Sequence, residues 1–323
     1  MGKILFIRGG AVGDFILTMP ALRLVREQLP DNEIEILGYP GITSLATATG
    51  LADATRSIED ARLATFFAPG AKLDPEWCDY LSGFNVVISY LFDPDGFFRG
   101  NLERAGVKML IEAPFRPEEE LPQPPAAVQF ARPLEQLALF LDDAELSLPY
   151  RDQVDSPLPL QKDGKRVILH PGSGSPSKNW SFESWIAVLQ HLASEIEDLE
   201  IVITSGEAEA ERLGDFRVLA EEAGLSCHYL SECSLPELGA LFSETEDGRV
   251  LYLGHDSGIS HLAASAGAAG RLLFGPTEPA IWAPVSSRLK PIRSRNGSMG
   301  GISVREVIES LESWTSSHPS RRD

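Results

Sequence analysis

Hydrophobic and polar positions in the first ninety residues alternate between short apolar runs and helical stripes. KILFIR, beginning at Lys3, is an apolar run without helical spacing, which predicts a buried parallel strand. From Phe15 the apolar residues recur at helical spacing and stop near Leu29, which predicts a helix. EIEILG and VVISYLF (86–92) predict further strands, with a helix around 43–49 between them. Strands that alternate with helices indicate a parallel sheet covered on both faces.

The middle of the chain interrupts this alternation. APFRPEEELPQPP at 113–125 is rich in proline and glutamate, which predicts a loop. A helix is predicted around 134–141. LPYRDQVDSPLPLQKDGKR at 148–166 is polar and contains proline, which is typical of a linker. We therefore predict an N-terminal domain at 1–150, a linker at 151–165 and a C-terminal domain at 166–323.

The alternation resumes after the linker. RVILH at 166–170 predicts a strand, followed by a glycine/serine loop and an amphipathic helix. LEIVITSG, CHYL, RVLYLGHD and RLLFG predict further strands separated by helices, with RLLFG as the last strand. Two similar α/β halves joined by a linker predict a cleft lined by strand carboxyl ends and helix N-termini, where ligands bind in such sheets.

The composition excludes several classes of protein. The chain carries 28 Lys+Arg against 47 Asp+Glu, a formal net charge of −19. This acidity disfavours a nucleic-acid binder and a protein held on anionic lipid by charge alone. Three scattered cysteines give no disulfide framework, which indicates a reducing compartment. Because no stretch approaches the ~20 apolar residues of a membrane span, we expect a cytoplasmic protein.

The glycine-rich turn GGAVGD separates the first strand from the first helix. A dinucleotide fingerprint would need glycines at 8, 10 and 13, but Arg8 occupies the first of these positions. The acid expected at the end of the second strand is also missing, which argues against a nicotinamide oxidoreductase. Asp14 follows, where the helix begins. Its carboxylate either caps the helix or acts as a general base toward an acceptor hydroxyl.

Two later loops could bind an anion. HPGSGSPSKNW at 170–180 lies between a strand and a helix. Its small residues let backbone N–H groups approach an anion, and Lys178 adds a full positive charge. The alternative is an ordinary connection with a solvated lysine. In GHDSGISHLAASAG, Asp256 and Ser257 fall at a helix cap, so the N–H groups of Ser257 and Gly258 would point at an anion. His261, one turn inside that helix, is a packing, capping or catalytic residue.

Two further pairs and one single glutamate have simpler interpretations. Asp93-Pro94-Asp95 could bind a metal as a D-x-D motif does, but the following glycine favours a turn. Glu207 follows a strand, where a carboxylate suits the hydroxyls of a ribose or simply favours the start of a helix. His255 and His261 do not share a helix face, so we predict no metal site.

Together, these segments resemble the ADP-heptose–lipopolysaccharide heptosyltransferases, glycosyltransferase family 9. KILFIRGGAVGDFILTMPALRLVREQLPDNEIEIL resembles the family's opening strand, glycine turn, Asp, T-x-P-A-L and second strand. HPGSGSPSKNW resembles its P-G-(loop)-K-x-W element. HDSGISHLAASAG with LLFGPTEPAIWAP resembles its D-[ST]-G-x-x-H-L-A-A segment and G-P-T-x-P turn. The match covers most of the chain in the family's order.

The resemblance implies a GT-B architecture, with two Rossmann-like domains facing across a cleft and the last helix (about 302–316) packing back toward the N-terminal domain. It implies an inverting, metal-independent transfer of a heptose or related sugar from an ADP-linked donor, without a cofactor. The acceptor would be a lipopolysaccharide or other surface glycan, reached with at most peripheral contact at the inner membrane face. The alternatives are a nucleotide-sugar binding homologue without transferase activity, or a transferase with another donor and acceptor.

The resemblance also implies roles for individual residues. Asp14 would be the base that deprotonates the acceptor hydroxyl. The donor-binding residues would be Ser173, Lys178, Glu207, Asp256, Ser257, Gly258 and His261, with Lys178 and the amides of Ser257 and Gly258 holding the diphosphate. Arg8, Gly13 and Arg99 are acceptor-side candidates. Arg99 stands in DPDGFFRGNLERAGV, which is similar to a D-x-x-G-x-x-R segment of the family's first domain. The first 150 residues carry about 12 Lys+Arg against 22 Asp+Glu, which disfavours the phosphorylated, acidic acceptor of this family.

Overall fold

The residues form two compact units, Met1–Ala144 and Glu145–Asp323. A computed structural model describes residues 2–152, 154–161, 164–206, 210–245 and 248–316 of the chain. The second unit begins before the predicted linker at 151–165, because the Leu148 N–H donates to the Ser265 carbonyl and the Tyr150 ring lies against Gly239. Within the described residues, no helix is both long enough and apolar enough to cross a membrane.

The first unit is built on a five-stranded parallel sheet in the order β3-β2-β1-β4-β5. Its strands are β1 (Lys3–Arg8), β2 (Glu33–Gly38), β3 (Ala54–Ser57), β4 (Val86–Ser89) and β5 (Leu110–Glu112). Central strand β1 is almost entirely buried, as its apolar run predicts. β4 ends at Ser89 rather than at the predicted residue 92, because β5 is short and pairs only with Val87–Ser89.

Five helices accompany this sheet. They are α1 (Val12–Gln28), α2 (Pro40–Ala48), α3 (Pro75–Ser82), α4 (Phe97–Arg104) and α5 (Ala126–Ala131). The helix predicted around 134–141 is wrong: α5 precedes it, and a 3-10 turn covers Arg132–Leu137, where a proline lies in the first turn. The segment 113–125 contains no helix or strand, which confirms the predicted loop.

The second unit is built on a six-stranded parallel sheet in the order β11-β10-β9-β6-β7-β8. Its strands are β6 (Arg166–Leu169), β7 (Glu200–Thr204), β8 (Cys227–Leu230), β9 (Val250–His255), β10 (Gly270–Phe274) and β11 (Leu289–Arg293). β11 was not predicted. It is an edge strand that is largely exposed and contains Pro291, so it lacks the apolar pattern of a buried strand.

The helices of the second unit are α6 (Phe182–Glu195), α7 (Ala210–Glu222), α8 (Leu235–Phe242), α9 (Gly258–Ser265), α10 (Pro279–Trp282) and α11 (Val304–Ser316). α11 packs on α6, and its buried residues Val307 and Leu311 belong to this unit's core with Trp180 and Trp185. The packing of this last helix toward the N-terminal domain stays a prediction.

A buried arginine fixes the start of β6. The Arg166 side chain is fully buried, and its Nε donates to Glu200 Oε2 at 2.7 Å. Its Nη1 donates to Glu244 Oε2 at 2.6 Å and to the Leu158 carbonyl at 2.7 Å. One side chain therefore joins β6, β7 and the segment that leads into the sheet.

Candidate active site

The two sheets share a topology that places a ligand site in each unit. In an open parallel sheet, ligands bind beyond the carboxyl ends of the strands at the point where the strand order reverses. That point lies between β1 and β4 in the first unit and between β6 and β9 in the second. All the described residues that the sequence predicts for the site lie at the carboxyl ends of these four strands, in the loops that follow or in the first turns of the next helices: Arg8, Gly13, Asp14, Arg99, Ser173, Lys178, Asp256, Ser257, Gly258 and His261.

Asp14 lies in the first turn of α1, directly after Gly13. Its Oδ2 accepts a hydrogen bond from the Ala11 N–H at 3.1 Å, so the carboxylate caps the helix, the first of its two predicted roles. Gly10 has φ +96°, and a Cβ there would lie 2.8 Å from this carboxylate oxygen. The Asp14 side chain is still 30% exposed, which leaves it accessible to a substrate. Its role as a base stays a prediction.

Arg8 lies directly behind Asp14 at the end of β1. Its side chain is 3% exposed, and Nη2 lies 3.8 Å from Asp14 Oδ1 and donates to the Asp14 carbonyl at 3.3 Å. Nη1 donates to the carbonyls of Tyr90 and Phe115, and the guanidinium stacks over the Phe130 ring at 4.8 Å. Burial lowers the pKa of Arg8, an effect that the negative charge of Asp14 opposes. Because Arg8 is buried among these partners, we assign it a positioning role, and its contact with an acceptor stays a prediction.

The D-x-D sequence of the first unit forms a turn. Asp93 Oδ1 accepts from the Phe98 N–H at 3.0 Å, and its Oδ2 accepts from the Arg99 N–H at 2.8 Å, so the carboxylate caps α4. Gly96, at φ +69°, provides the left-handed residue of the turn. Across the described parts of the chain, no group of three or more His, Cys, Asp or Glu side chains could hold a metal ion.

In the second unit, the structure brings two of the predicted donor-binding residues together. Lys178 Nζ donates to Asp256 Oδ2 at 2.7 Å. The lysine side chain is 28% exposed and the aspartate side chain 5%, so the pair lies at the rim of the site with the carboxylate on the inside. Thr277 Oγ1 donates to the same oxygen at 2.7 Å. The ammonium is therefore paired with a buried carboxylate, and its role in binding an anion stays a prediction.

The N-terminus of α9 completes this group. Ser257 caps the helix by accepting the Ser260 N–H at 3.3 Å, and Ser260 Oγ donates to the His255 carbonyl at 2.6 Å. Ser257, Gly258 and Ile259 are partly exposed. Free backbone amides at the positive end of a helix favour the binding of anions.

His255, the last residue of β9, contacts the segment 170–180 that carries Lys178 and the helix that follows it. Its Nε2 accepts hydrogen bonds from the Trp180 N–H at 2.9 Å and from Trp185 Nε1 at 3.2 Å. Burial lowers the pKa of His255 to about 3, so the imidazole is neutral at physiological pH. In the same loop, the buried Ser173 hydroxyl donates to Asn179 Oδ1 at 2.7 Å. His261 is buried within α9.

One predicted donor residue, Glu207, lies outside the described residues. Conversely, sequence reasoning missed Thr277 and the structural role of His255. Thr277 belongs to the G-P-T-x-P turn, and its signal was a hydroxyl at a fixed place between two prolines. From the sequence, His255 is weighed only as half of a metal pair and no metal site is predicted, whereas its position at the end of a buried strand points to a neutral histidine that accepts hydrogen bonds.

Comparison with solved structures identifies the architecture. A family 9 glycosyl transferase from Veillonella parvula matches with a TM-score of 0.74 and 16% identity, over 97% of both chains. The E. coli ADP-heptose LPS heptosyltransferase II matches with a TM-score of 0.71 and 17% identity, over 97% of this chain and 98% of that one. E. coli heptosyltransferase WaaC with ADP-2-deoxy-2-fluoro heptose matches with a TM-score of 0.71 and 16% identity, over 96% and 99%. The two Rossmann-like sheets and these neighbours define the GT-B fold.

The family follows from the sequence itself. The model of glycosyltransferase family 9 (heptosyltransferase) matches residues 112–307, more than half of the chain. No curated protein matches the sequence significantly. The chain therefore belongs to glycosyltransferase family 9, which confirms the predicted fold class, the family and the class of enzyme.

Proposed function

We propose that this glycosyltransferase moves a heptose or related sugar from an ADP-linked donor to a hydroxyl of a lipopolysaccharide or other surface-glycan acceptor. The transfer inverts the configuration at the anomeric carbon of the sugar and needs neither metal nor cofactor. The enzyme works in the cytoplasm, with at most peripheral contact at the membrane face, and binds no nucleic acid. The names of its structural neighbours, which include ADP-heptose and an ADP-heptose analogue, support this donor.

The observation that carries the proposal is the group of Lys178, Asp256 and the α9 N-terminus at the switch point of the second sheet. A lysine paired with a buried carboxylate, next to the N-terminus of a helix whose first residues are partly exposed, suits a diphosphate. The helix amides add partial positive charge without a counter-ion, whereas the lysine charge is balanced by Asp256. We infer that the amides of Ser257 and Gly258 contribute as much as Lys178 to holding the diphosphate.

The chemistry is a single displacement. Asp14 takes the proton of the acceptor hydroxyl, and the acceptor oxygen forms a bond to the anomeric carbon of the donor sugar. The bond between that carbon and the phosphate oxygen breaks, and its electron pair leaves with ADP. Lys178 and the α9 amides stabilise the negative charge that develops on the departing diphosphate. Ser173 supports the loop that carries Lys178, and Glu207 is a candidate partner for the ribose of the donor.

The proposal is tested by donor turnover. ADP-heptose is incubated with the enzyme and a pool of heptose-deficient lipopolysaccharide, with Mg²⁺ or with EDTA, and released ADP is measured. We expect ADP release that depends on the acceptor and is equal under both metal conditions. Loss of release in EDTA would overturn the metal-independent step, and failure to bind ADP or ADP-heptose would overturn the donor.

The second candidate is a nucleotide-sugar binding homologue without transferase activity. The pairing of Lys178 with Asp256 favours it in one respect, because the lysine charge is already balanced before any ligand arrives. This candidate predicts ADP-heptose binding without ADP release against any acceptor pool. Calorimetric binding measured beside the turnover assay separates the two candidates.

A further inference from the structure

The first unit contains a pocket that the proposed chemistry does not use. It has a volume of about 260 Å³ and lies beyond the carboxyl ends of β4 and β5. Its apolar lining includes Leu91, Phe98, Leu110 and Pro114. Sites for drug-sized ligands have volumes of ~300–1,000 Å³, so this pocket suits a smaller molecule.

Two exposed aromatic rings line the pocket. Phe92 is 62% exposed and Phe115 is 40% exposed. Their ring centroids are 4.5 Å apart and the ring planes are tilted by 52°. Large aromatic side chains are usually buried, so a pair exposed in a concave site indicates a surface kept for a ligand. The face of such a ring packs well against the C–H face of a sugar.

The polar groups of the pocket are mostly satisfied within the protein. Arg99 Nη1 donates to Glu112 Oε2 at 3.2 Å, and both side chains are about half exposed. The carboxylate of Asp93 already accepts two backbone N–H groups. These three residues carry a net charge of −1, and their exposed donors and acceptors suit hydroxyl groups better than a phosphate or carboxylate.

One buried side chain connects the pocket to Asp14. Arg8 Nη1 donates to the Phe115 carbonyl at 3.1 Å, and its Nη2 donates to the Asp14 carbonyl at 3.3 Å. The guanidinium therefore fixes both the aromatic wall of the pocket and the residue that we propose as the base. A sugar bound in the pocket belongs to the same end of the same sheet as Asp14.

We propose that this pocket binds one uncharged pyranose ring of the acceptor, stacked on Phe92 and Phe115 and hydrogen-bonded by Arg99 and Glu112. The inference rests on the proposed function, and it specifies the acceptor as a neutral sugar. The charge of the chain agrees, because residues 1–150 carry 12 Lys+Arg against 22 Asp+Glu and repel anionic ligands. The same acidity opposes an anionic membrane as the partner of these aromatic rings.

The test uses the full chain and two probes, methyl α-D-glucopyranoside and glucose 6-phosphate. In saturation-transfer NMR, we expect the neutral glycoside to give at least a fivefold stronger signal than the phosphate. The signal should disappear in Phe92→Ala and fall in Glu112→Gln. Phe140→Ala is the matched control, because Phe140 is also 62% exposed and does not line the pocket. A signal retained in Phe92→Ala, or a stronger signal from the phosphate, would overturn the proposal.

Two further measurements separate this inference from the proposed function. ADP binding by calorimetry should be unchanged in Phe92→Ala, since the variant alters the first unit alone. If wild-type protein binds ADP but neither sugar, the pocket proposal fails and the donor proposal stands. If it binds the glycoside but not ADP, the donor proposal fails and the pocket proposal stands. Sedimentation with phosphatidylglycerol vesicles that is lost in Phe92→Ala would identify a membrane contact and overturn the sugar site.

Discussion

The ion pair between Lys178 and Asp256 can be tested with a double-mutant cycle. Lys178→Met removes the ammonium and keeps most of the side-chain length. Asp256→Asn removes the carboxylate charge and keeps an oxygen that can accept from Thr277 Oγ1. Combining the two substitutions gives the interaction free energy of the pair, corrected for what each residue does alone.

The structure sets the expected magnitude. The two charged atoms lie 2.7 Å apart, and the carboxylate is nearly buried while the lysine is 28% exposed. Exposed pairs contribute about 0–1 kcal/mol, and breaking a fully buried pair costs about 3–5 kcal/mol. We therefore expect Lys178→Met to lower the free energy of unfolding by about 1–3 kcal/mol, a value between these limits. Because the double variant leaves no unpaired buried charge, it should be more stable than Lys178→Met alone.

The assay is urea unfolding followed by tryptophan fluorescence. Four of the five tryptophans, at 180, 185, 282 and 314, belong to the second unit, so the signal reports mainly on the unit that carries the pair. Lys290→Met is the matched control, since Lys290 is exposed on β11 and should change the free energy of unfolding by less than about 0.5 kcal/mol. A coupling free energy below about 0.5 kcal/mol would refute the reasoning.

The same variants report on the donor. Lys178→Met should weaken ADP binding at least tenfold, because it removes a cation and leaves a buried carboxylate near the diphosphate. Asp256→Asn should weaken it less, because the ammonium remains. ADP affinity equal to wild type in Lys178→Met, measured by calorimetry, would remove Lys178 from the proposed donor site.

Three further predictions concern other parts of the chain. Asp14→Asn keeps an acceptor for the Ala11 N–H, so we expect a folded protein whose kcat is about 10²–10⁴ lower with unchanged donor affinity. Arg166→Met leaves the Glu244 carboxylate buried without a partner charge, so urea unfolding should show a loss of about 3–5 kcal/mol. The folded-state pKa of His255, about 3, lies below its unfolded value of about 6.5, so the unfolded chain binds more protons between these pH values. Stability should therefore fall as the pH falls from about 6.5 to about 3, by up to about 1.4 kcal/mol per pH unit, and His255→Gln should flatten this slope.

Each of these three has a control. Asp14→Ala also loses the helix cap, worth about 1 kcal/mol, so stability separates the two Asp14 variants; a wild-type rate in Asp14→Asn would contradict the base assignment. For Arg166, the control is Arg305→Met, which breaks the exposed ion pair with Glu309 and should cost less than about 1 kcal/mol. Equal pH slopes in wild type and His255→Gln would show that other groups produce the pH dependence.

The sequence predicts the fold well where strands are apolar and central. KILFIR, RVILH and RVLYLGHD are such strands, and all three lie in the middle of their sheets. β3 and β11 lie at sheet edges with exposed faces, so burial leaves little pattern in their composition. A short strand of this kind is defined by its pairing with a neighbour, which is a tertiary property.

The local motifs of the candidate site could be predicted from the sequence, but the contacts between distant residues could not. Gly/Ser-rich turns after apolar strands indicated Lys178 and the α9 N-terminus, because helix N-termini and small residues favour anions. The pairing of Lys178 with Asp256 spans 78 residues and could not be predicted from local spacing. Arg8 was predicted as an acceptor-side candidate, but nothing in its local sequence indicated that β1 carries its side chain under the aromatic rings of Tyr90 and Phe130, where it is buried.

The buried guanidinium of Arg8 has a consequence for engineering acceptor choice. The loop that begins near Phe115 is where substitutions would alter the acceptor, but its backbone carbonyl is bonded to the same side chain that holds Asp14. On the role that we propose for Asp14, insertions or deletions in this loop would therefore change the rate of proton removal together with acceptor selectivity. Libraries that vary side chains around the pocket and leave the backbone at 115 intact should yield more active variants than libraries that change the length of the loop.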